Sequence, residues 1–322
     1  MDANLQFWRA EGQSFFQRFR LWLDVLDPLL LLKSSDEIKR RRLLIQTNEK
    51  TLSEPIQNNQ VFRSVVKVLT ESSVHPDRNE IIPVLFRPPS FMPISLPLSS
   101  ALNPGFIFTY NLLFLQFVFH TYTTAFTLFN GNGTSKAKDY SLEEKQILYG
   151  LGAISYAACV GALPLIFMNR YTLKSALTEL IVKKLLPAPL LGSTSAFTTV
   201  MVRSPEFENG IEVMDRNGKV VGVSRIAGEK AVRETALSRG ILFGTTFFLP
   251  EVFMYFVQRA KLVTNPRGLA FVKMLGIASV LTGMIPVSLS MFPQCGEIKR
   301  ADLEPEILSS TEETELFYNR GI

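Results

Sequence analysis

PPSFMPISLPLSSALNPGFIFTYNLLFLQFVFHTYTTAFTLFNGNGTS, residues 88–135, contains no Asp, Glu, Lys or Arg. About 20 apolar residues suffice to cross a hydrocarbon core of roughly 30 Å, so this stretch is too long for one straight helix and too uncharged for a soluble domain. Pro88, Pro89, Pro93, Pro97 and Pro104 crowd its first half. Each removes a backbone donor and disfavours helix at the residue before it. Residues 106–129 are free of proline and predict a full membrane crossing. The preceding residues 90–103 predict a broken half-helix or re-entrant piece that protein must cover, because bare irregular backbone is not tolerated in lipid.

Outward from this stretch, uncharged runs recur at 146–169, 185–202 and 274–296, and a run at 240–258 is interrupted only by Glu251. Together they predict an all-α, multi-pass membrane bundle of five crossings over residues 90–296. An odd number of crossings puts the N-terminal region, 1–89, and the tail, 297–322, on opposite sides. Composition agrees: 47% of the residues are hydrophobic and 25 are Phe, a heavy aromatic load for a soluble domain. The net charge of +5 is spread over loops flanking the spans, which reads as a topology signal rather than a nucleic-acid surface.

The two cysteines, Cys159 and Cys295, both fall inside predicted spans and read as small apolar fillers. They supply neither a disulfide framework nor a four-thiolate cluster, and with His75 and His120 the only histidines there is no zinc spacing. No metal, cofactor or enzymatic activity is expected, since no nucleophile with its base and no phosphate-cradling glycine loop emerges.

Asp2 and Glu11 argue against a secretory signal or a cleavable presequence. Phe7, Trp8, Phe15, Phe16, Phe19, Trp22 and Leu23 make an aromatic face at helical spacing, with Arg9, Arg18 and Arg20 around it. Such an amphipathic helix lies on the membrane surface or packs onto the spans, and Asp27-Pro28 ends it. His75-Pro76-Asp77 is the working tripeptide of J-domain cochaperones, but there it sits in a soluble helical hairpin; ahead of a proline-rich membrane entrance it reads as a turn. In the loop 203–239, residues 210–215 and 219–224 flank Arg216-Asn217-Gly218 and predict a β-hairpin. Residues 227–239 follow as an amphipathic helix with Lys230, Arg233 and Arg239 as its basic face.

Polar residues stand within the spans, among them Asn111, Gln116, His120 and Glu251. An ionisable group in a span costs on the order of 2.5–3.5 kcal/mol on insertion scales. Glu251 is therefore expected in a bundle interior or pathway, or near the interface, or paired with a base such as Arg239. His120, one turn from Gln116, reads as a hydrogen-bonded structural histidine rather than a substrate or metal contact.

The order of short motifs along the chain resembles the sideroflexins, a family of mitochondrial inner-membrane proteins. Phe19-Arg20, Asp27-Pro28, Arg42-Leu43-Leu44 and His75-Pro76-Asp77 precede the first span. Gly210-Ile211 with Val213, Asp215, Gly218, Gly222 and Ser224, then Ser238-Arg239, Phe292-Pro293-Gln294, Leu303-Glu304 and Phe317-Tyr318-Asn319-Arg320-Gly321 follow. The resemblance implies a multi-pass carrier in the mitochondrial inner membrane, with the lipid bilayer around it and residues 1–89 on the matrix side. It also implies that His75, Pro76, Asp77, Phe292, Pro293 and Gln294 act as structural or gating motifs. Better-known members move serine and related small neutral amino acids. Thr311-Glu312-Glu313-Thr314-Glu315 and Pro250-Glu251-Val252-Phe253 are most like a divergent branch associated instead with respiratory complex I assembly and with iron and iron–sulfur homeostasis.

Transporting relatives resemble one another in asparagines at positions that here are Phe119, Thr123 and Thr127 on one helical face, and in a second pair that falls on Ser195 and Thr198. Four of the five keep only a hydroxyl. An amide offers two donors and an acceptor, a hydroxyl one donor. The expectation is a carrier fold that supports complex I assembly through assembly factors, with transport of a small neutral amino acid as the alternative and no nucleic acid as partner. Candidate lining residues are Asn111, Gln116, His120, Thr123, Thr127, Ser195, Thr198 and Glu251.

Overall fold

The computed structural model describes residues 8–10, 12–50, 68–70, 72–75, 80–102, 111–132, 140–170, 178, 181 and 185–322. Ser14 Oγ accepts from Gln17 N at 3.2 Å and Gln17 Oε1 from Ser14 N at 2.9 Å. This reciprocal capping box starts helix α1 (Phe15–Val25). Leu26 ends it, Asp27 then caps a 3-10 turn over Pro28–Leu32 by accepting from Leu29 N, and α2 (Ser35–Lys50) follows.

The aromatic face splits: Trp8 and Trp22 are buried with ring centroids 4.8 Å apart, whereas Phe16 and Leu23 are exposed. Phe7 lies outside the described residues. Arg18, expected on the polar rim, is buried instead, because its guanidinium donates to Ser290 O at 2.9 Å and Gln13 O at 2.8 Å.

The proline-rich entrance forms a continuous short helix, α3 (Pro88–Ala101). Pro88 and Pro89 occupy the first turn, where no N–H is needed. Pro93 and Pro97 lie four apart on its exposed face, while Ser95 and Ser99 face inward. Ser95 Oγ donates to Phe91 O and Ser90 Oγ to Val84 O.

Five longer helices follow: α4 (Leu112–Asn130), α5 (Tyr140–Arg170), α6 (Pro187–Val202), α7 (Arg225–Arg259) and α8 (Pro266–Ser290). Among the described residues α4, α7 and α8 are long and apolar enough to cross a membrane, and α5 contains a shorter apolar segment, Ile147–Leu163. The bundle is drawn tight by glycine where α6 crosses α7: a Cβ on Gly192 would stand 2.8 Å from Gly240 O, the small-residue contact that lets membrane helices approach. Phe91, Phe119, Phe126, Leu191, Leu242, Phe243 and Leu281 fill the interior.

Counting five crossings placed the two ends of the chain on opposite sides, and here the geometry differs. Asn130 Nδ2, at the end of α4, donates to Phe86 O, just before α3, at 2.8 Å. The chain therefore descends in α3 and returns in α4 to the same end. Arg9 Nη1 reaches Arg216 O at 2.6 Å and His75 Nε2 is hydrogen-bonded to Gly131 O at 2.7 Å, so the N-terminal segments share one end of the bundle with the loop that follows α6.

That end carries a four-stranded antiparallel sheet in the order β2-β1-β4-β3, formed by β1 (Ile211–Met214), β2 (Val220–Ser224), β3 (Cys295–Lys299) and β4 (Glu315–Asn319). The expected hairpin is present, turning at Gly218 with φ 79° and with Asp215 N donating to Lys219 O at 2.9 Å. Its free edge pairs with β4, Val213 opposite Tyr318. The residues expected as a tail thus complete a sheet that rests on the first turns of α7 through Ala227, Ala231, Leu316 and Tyr318. At 35 residues α7 is about 52 Å long, longer than the hydrocarbon core, so it serves both layers. Cys295, expected inside the last span, lies in β3, because the helix stops at Ser290 ahead of Pro293.

Candidate functional site inside the bundle

Phe119, Thr123 and Thr127 are all buried, on one face of α4. The edge of the Phe119 ring meets Phe243 of α7, centroids 4.9 Å apart at 81°. Thr123 Oγ1 donates to Phe119 O at 3.1 Å and to His120 O at 3.2 Å, and Thr127 Oγ1 to Thr123 O at 3.0 Å. On α6, Ser195 and Thr198 are also buried, and Thr198 Oγ1 donates to Ser195 O at 3.0 Å. The threonine protons are therefore spent on the helices' own carbonyls, leaving lone pairs, but no donor, to meet a carboxylate.

A second buried row, Gln116, His120 and Thr124, follows at spacing four. Gln116 packs on α5 at Gly161, where a Cβ would stand 2.8 Å from Gln116 Oε1. Both polar atoms of Gln116, both ring nitrogens of His120, and the hydroxyls of Thr124 and Ser195 have no hydrogen-bond partner among the described residues. Asn111 does not join them: it is exposed at the start of α4 and caps nothing. Nor does Glu251 meet Arg239. It forms an ion pair with Lys273 Nζ of α8, both side chains mostly shielded.

At the sheet end the bundle closes in a polar knot. Arg203, just past α6, donates to Glu206 through Nε and Nη2, both at 2.6 Å, to Thr235 Oγ1 at 2.8 Å and to Arg320 O at 2.6 Å. Asn132 Nδ2 bridges Glu206 Oε2 at 3.0 Å and Asn319 O at 2.8 Å. Arg320 N donates to Gln294 O, and Ile322 N to Asn130 O, each at 2.9 Å.

Motifs far apart in sequence thus converge here: His75, Gln294 and residues 319–321 meet the ends of α4, α6 and α8. Phe292 and Pro293 form the turn that leads from α8 to β3; Pro76 and Asp77 lie outside the described residues. The basic face expected on residues 227–239 does not form, since Arg239 is buried while Lys230 Nζ donates to Glu297 O at 2.7 Å.

Burial lowers Arg320 to about 10 against the pull of Glu234, which leaves it cationic at neutral pH. Burial raises the Cys295 thiol to about 11, so it stays protonated and unreactive. Above the knot a half-open cavity of about 700 Å³ is lined by Trp8, Arg9, Lys230, Glu234, Cys295, Phe317 and Tyr318, among others.

Residue order alone does not single out Arg203, Glu206 and Arg320, because charges at span ends read as topology signals, nor Asn132, which reads as a plain loop residue. The i,i+3 spacing of Arg203 and Glu206 and the Asn319-Arg320-Gly321 motif carried the signal.

A helical bundle with membrane-crossing length, an inward row of uncharged polar side chains and a polar plug at one end defines a multi-pass membrane protein of carrier-like build. The chain belongs to the sideroflexin family: the family model described as Sideroflexins matches residues 2–322. It is 46% identical to Sideroflexin-4 of Danio rerio over the whole of both chains. It is 38% identical to Sideroflexin-4 of Homo sapiens over all of this chain and 93% of the relative. With Sideroflexin-5 of Homo sapiens the identity is 29% over 98% of this chain and 91% of the relative. No solved structure matches.

Proposed function

We propose that this sideroflexin resides in the mitochondrial inner membrane, has given up serine-like recognition, and supports respiratory complex I assembly and iron and iron–sulfur homeostasis as a non-catalytic binding scaffold. The observation that carries this reading is the α4 face. Phe119 packs against Phe243, and the hydroxyls of Thr123 and Thr127 donate to their own helix, so that face holds neither an amide nor a charge to meet an ammonium or a carboxylate. Iron enters indirectly in this reading, since Cys159 is exposed on α5 while Cys295 is buried in β3.

A second reading, transport of a small neutral amino acid, is favoured by the unbonded polar atoms of Gln116 and His120 in the middle of α4. Liposomes containing the purified chain separate the two. The scaffold reading expects no saturable uptake of labelled serine, alanine or glycine, together with recovery of complex I assembly factors by crosslinking from mitochondria. Saturable uptake abolished by Thr123→Ala or Glu251→Gln would overturn it.

A further inference from the structure

Arg239 of the Ser238-Arg239 motif takes no part in the site above, yet it is almost wholly buried. Its guanidinium carbon lies to one side of the adjoining rings of Phe91 and Phe126, 4.7 and 5.0 Å from centroids that are themselves 4.5 Å apart. Such cation–π contact offsets part of the lost hydration, but it does not neutralise the charge. Arg239 Nη2 has no hydrogen-bond partner among the described residues, and neither do Nε and Nη1 of buried Arg320. The formal charges that act on Arg239 are those of Arg320 and Arg203, both repulsive.

Carboxylates do not close this account. Arg203 occupies Glu206 through both oxygens. Glu234 attracts Arg320 but is shared with Lys230 and approached by Tyr318 OH at 3.5 Å. Among the described side chains, three buried guanidiniums, with Arg18 acting on Arg320 as a fourth, thus face two carboxylates, one of them also drawn on by a lysine. A buried charge without a counter-charge and a buried donor without an acceptor are each strongly unfavourable. The unbonded groups are all donors, and a planar guanidinium fork matches the oxygens of a carboxylate or phosphate.

We propose that Arg239 and Arg320 form an anion-binding site at the junction of the sheet and the bundle, taking one oxyanion group, a phosphate or a carboxylate. The cavity on the sheet face lies beside the site rather than opening onto it: Arg239 and Arg320 are not in its lining, but Glu234 and Tyr318, whose charges act on Arg320, are part of its wall, with Arg9 and Lys230. An oxyanion there supplies the missing negative charge and accepts the unbonded N–H groups. The site is independent of whether the α4 face carries a substrate.

The test uses the full chain in phosphatidylcholine nanodiscs, following the thermal unfolding midpoint at constant ionic strength. Inorganic phosphate is titrated against chloride in one arm and acetate in a second, and in a third phosphatidylglycerol replaces part of the lipid without added anion. The site expects a saturable rise of the midpoint in at least one arm, and the responding arm tells a free anion from a lipid headgroup. Arg239→Gln removes the response and Arg239→Lys weakens the apparent affinity at least tenfold, while Arg259→Gln, at the far end of α7, responds like the unmodified chain. No response in any arm, or an unchanged response in Arg239→Gln, overturns the site. Should Arg239→Gln not fold, direct binding of radiolabelled phosphate and of labelled phosphatidylglycerol to the unmodified chain decides: one saturable site per chain supports it, and none overturns it.

Discussion

Replacing Glu206 by Gln changes one oxygen to an amide group and removes the charge at the centre of the polar knot. Glu206 is 3% exposed and accepts three hydrogen bonds, from Arg203 Nε and Nη2 at 2.6 Å each and from Asn132 Nδ2 at 3.0 Å. In the variant at least one NH₂ group faces a donor of Arg203 or Asn132, and Arg203 keeps a buried charge without its counter-charge. Breaking a buried pair in this way costs about 3–5 kcal/mol, which at about 2–4 °C per kcal/mol for a chain of this order of size lowers the unfolding midpoint by on the order of 10 °C.

The loss also reaches residues 319–322, because Arg203 holds Arg320 O and Asn132 holds Asn319 O. The assay is thermal unfolding in detergent, together with amide exchange at Ile322, whose N–H is bound to Asn130 O. Adding Arg203→Met to Glu206→Gln removes the orphaned charge, so the double variant is expected to recover at least about 2 kcal/mol relative to the sum of the singles. A Glu206→Gln midpoint within about 1 kcal/mol of the unmodified chain, or strict additivity in the cycle, would refute the reasoning.

A methyl on Gly228 would stand 2.0 Å from Glu206 O, so Gly228→Ala is expected to destabilise by about 1–3 kcal/mol through displaced backbone. Gly283→Ala, with nothing within 4 Å, is expected to be neutral or to stabilise by up to about 1 kcal/mol in the same melting assay. Lys273→Met leaves Glu251 without its partner inside the bundle; it is expected to lower the midpoint, and Glu251→Gln on that background to restore most of the loss. Glu304 accepts from Arg225 N at 2.7 Å and Ile226 N at 3.1 Å at the start of α7. Burial alone raises its carboxyl, but the Ser224 hydroxyl and these amides outweigh that and hold it below its ordinary 4.5. Its contribution is therefore complete above that value and lost as pH falls through the lower, folded one. The gap in melting temperature between the unmodified chain and Glu304→Gln is expected to be open at pH 7 and to close in acid.

Much of the membrane layer is legible in residue order alone, because the absence of charge over a span's length is a local property. The crossing read at 106–129 corresponds to α4, and the hairpin around Asn217-Gly218 forms as its turn chemistry dictates. Burial of Phe119, Thr123 and Thr127 on one face follows from a spacing of four on a helix. The aromatic face around Phe15 and Phe16 was less legible, since helical spacing shows which side chains share a face and not how wide the receiving surface is.

What residue order could not decide is which distant groups meet. A charged residue at a span end has the same local appearance whether it is solvated, like exposed Arg259, or sealed in a knot, like Arg203 and Arg320. Burial and pairing depend on contacts between residues more than 100 positions apart, such as Arg203 with Arg320. The same limit hid the returning path of α3 and α4. Counting spans fixes parity only if each segment's depth is known, and depth comes from contacts such as the hydrogen bond from Asn130 Nδ2 to Phe86 O. Hydropathy over a window of neighbours thus determined that this chain is a membrane protein and which stretches are apolar enough to form its long helices. Only the folded contacts decided that its N-terminal segments and its last residues meet at one end of the bundle, and that Arg239 lies buried without a carboxylate partner among the described residues, because electrostatic partnership is a property of space and not of chain order.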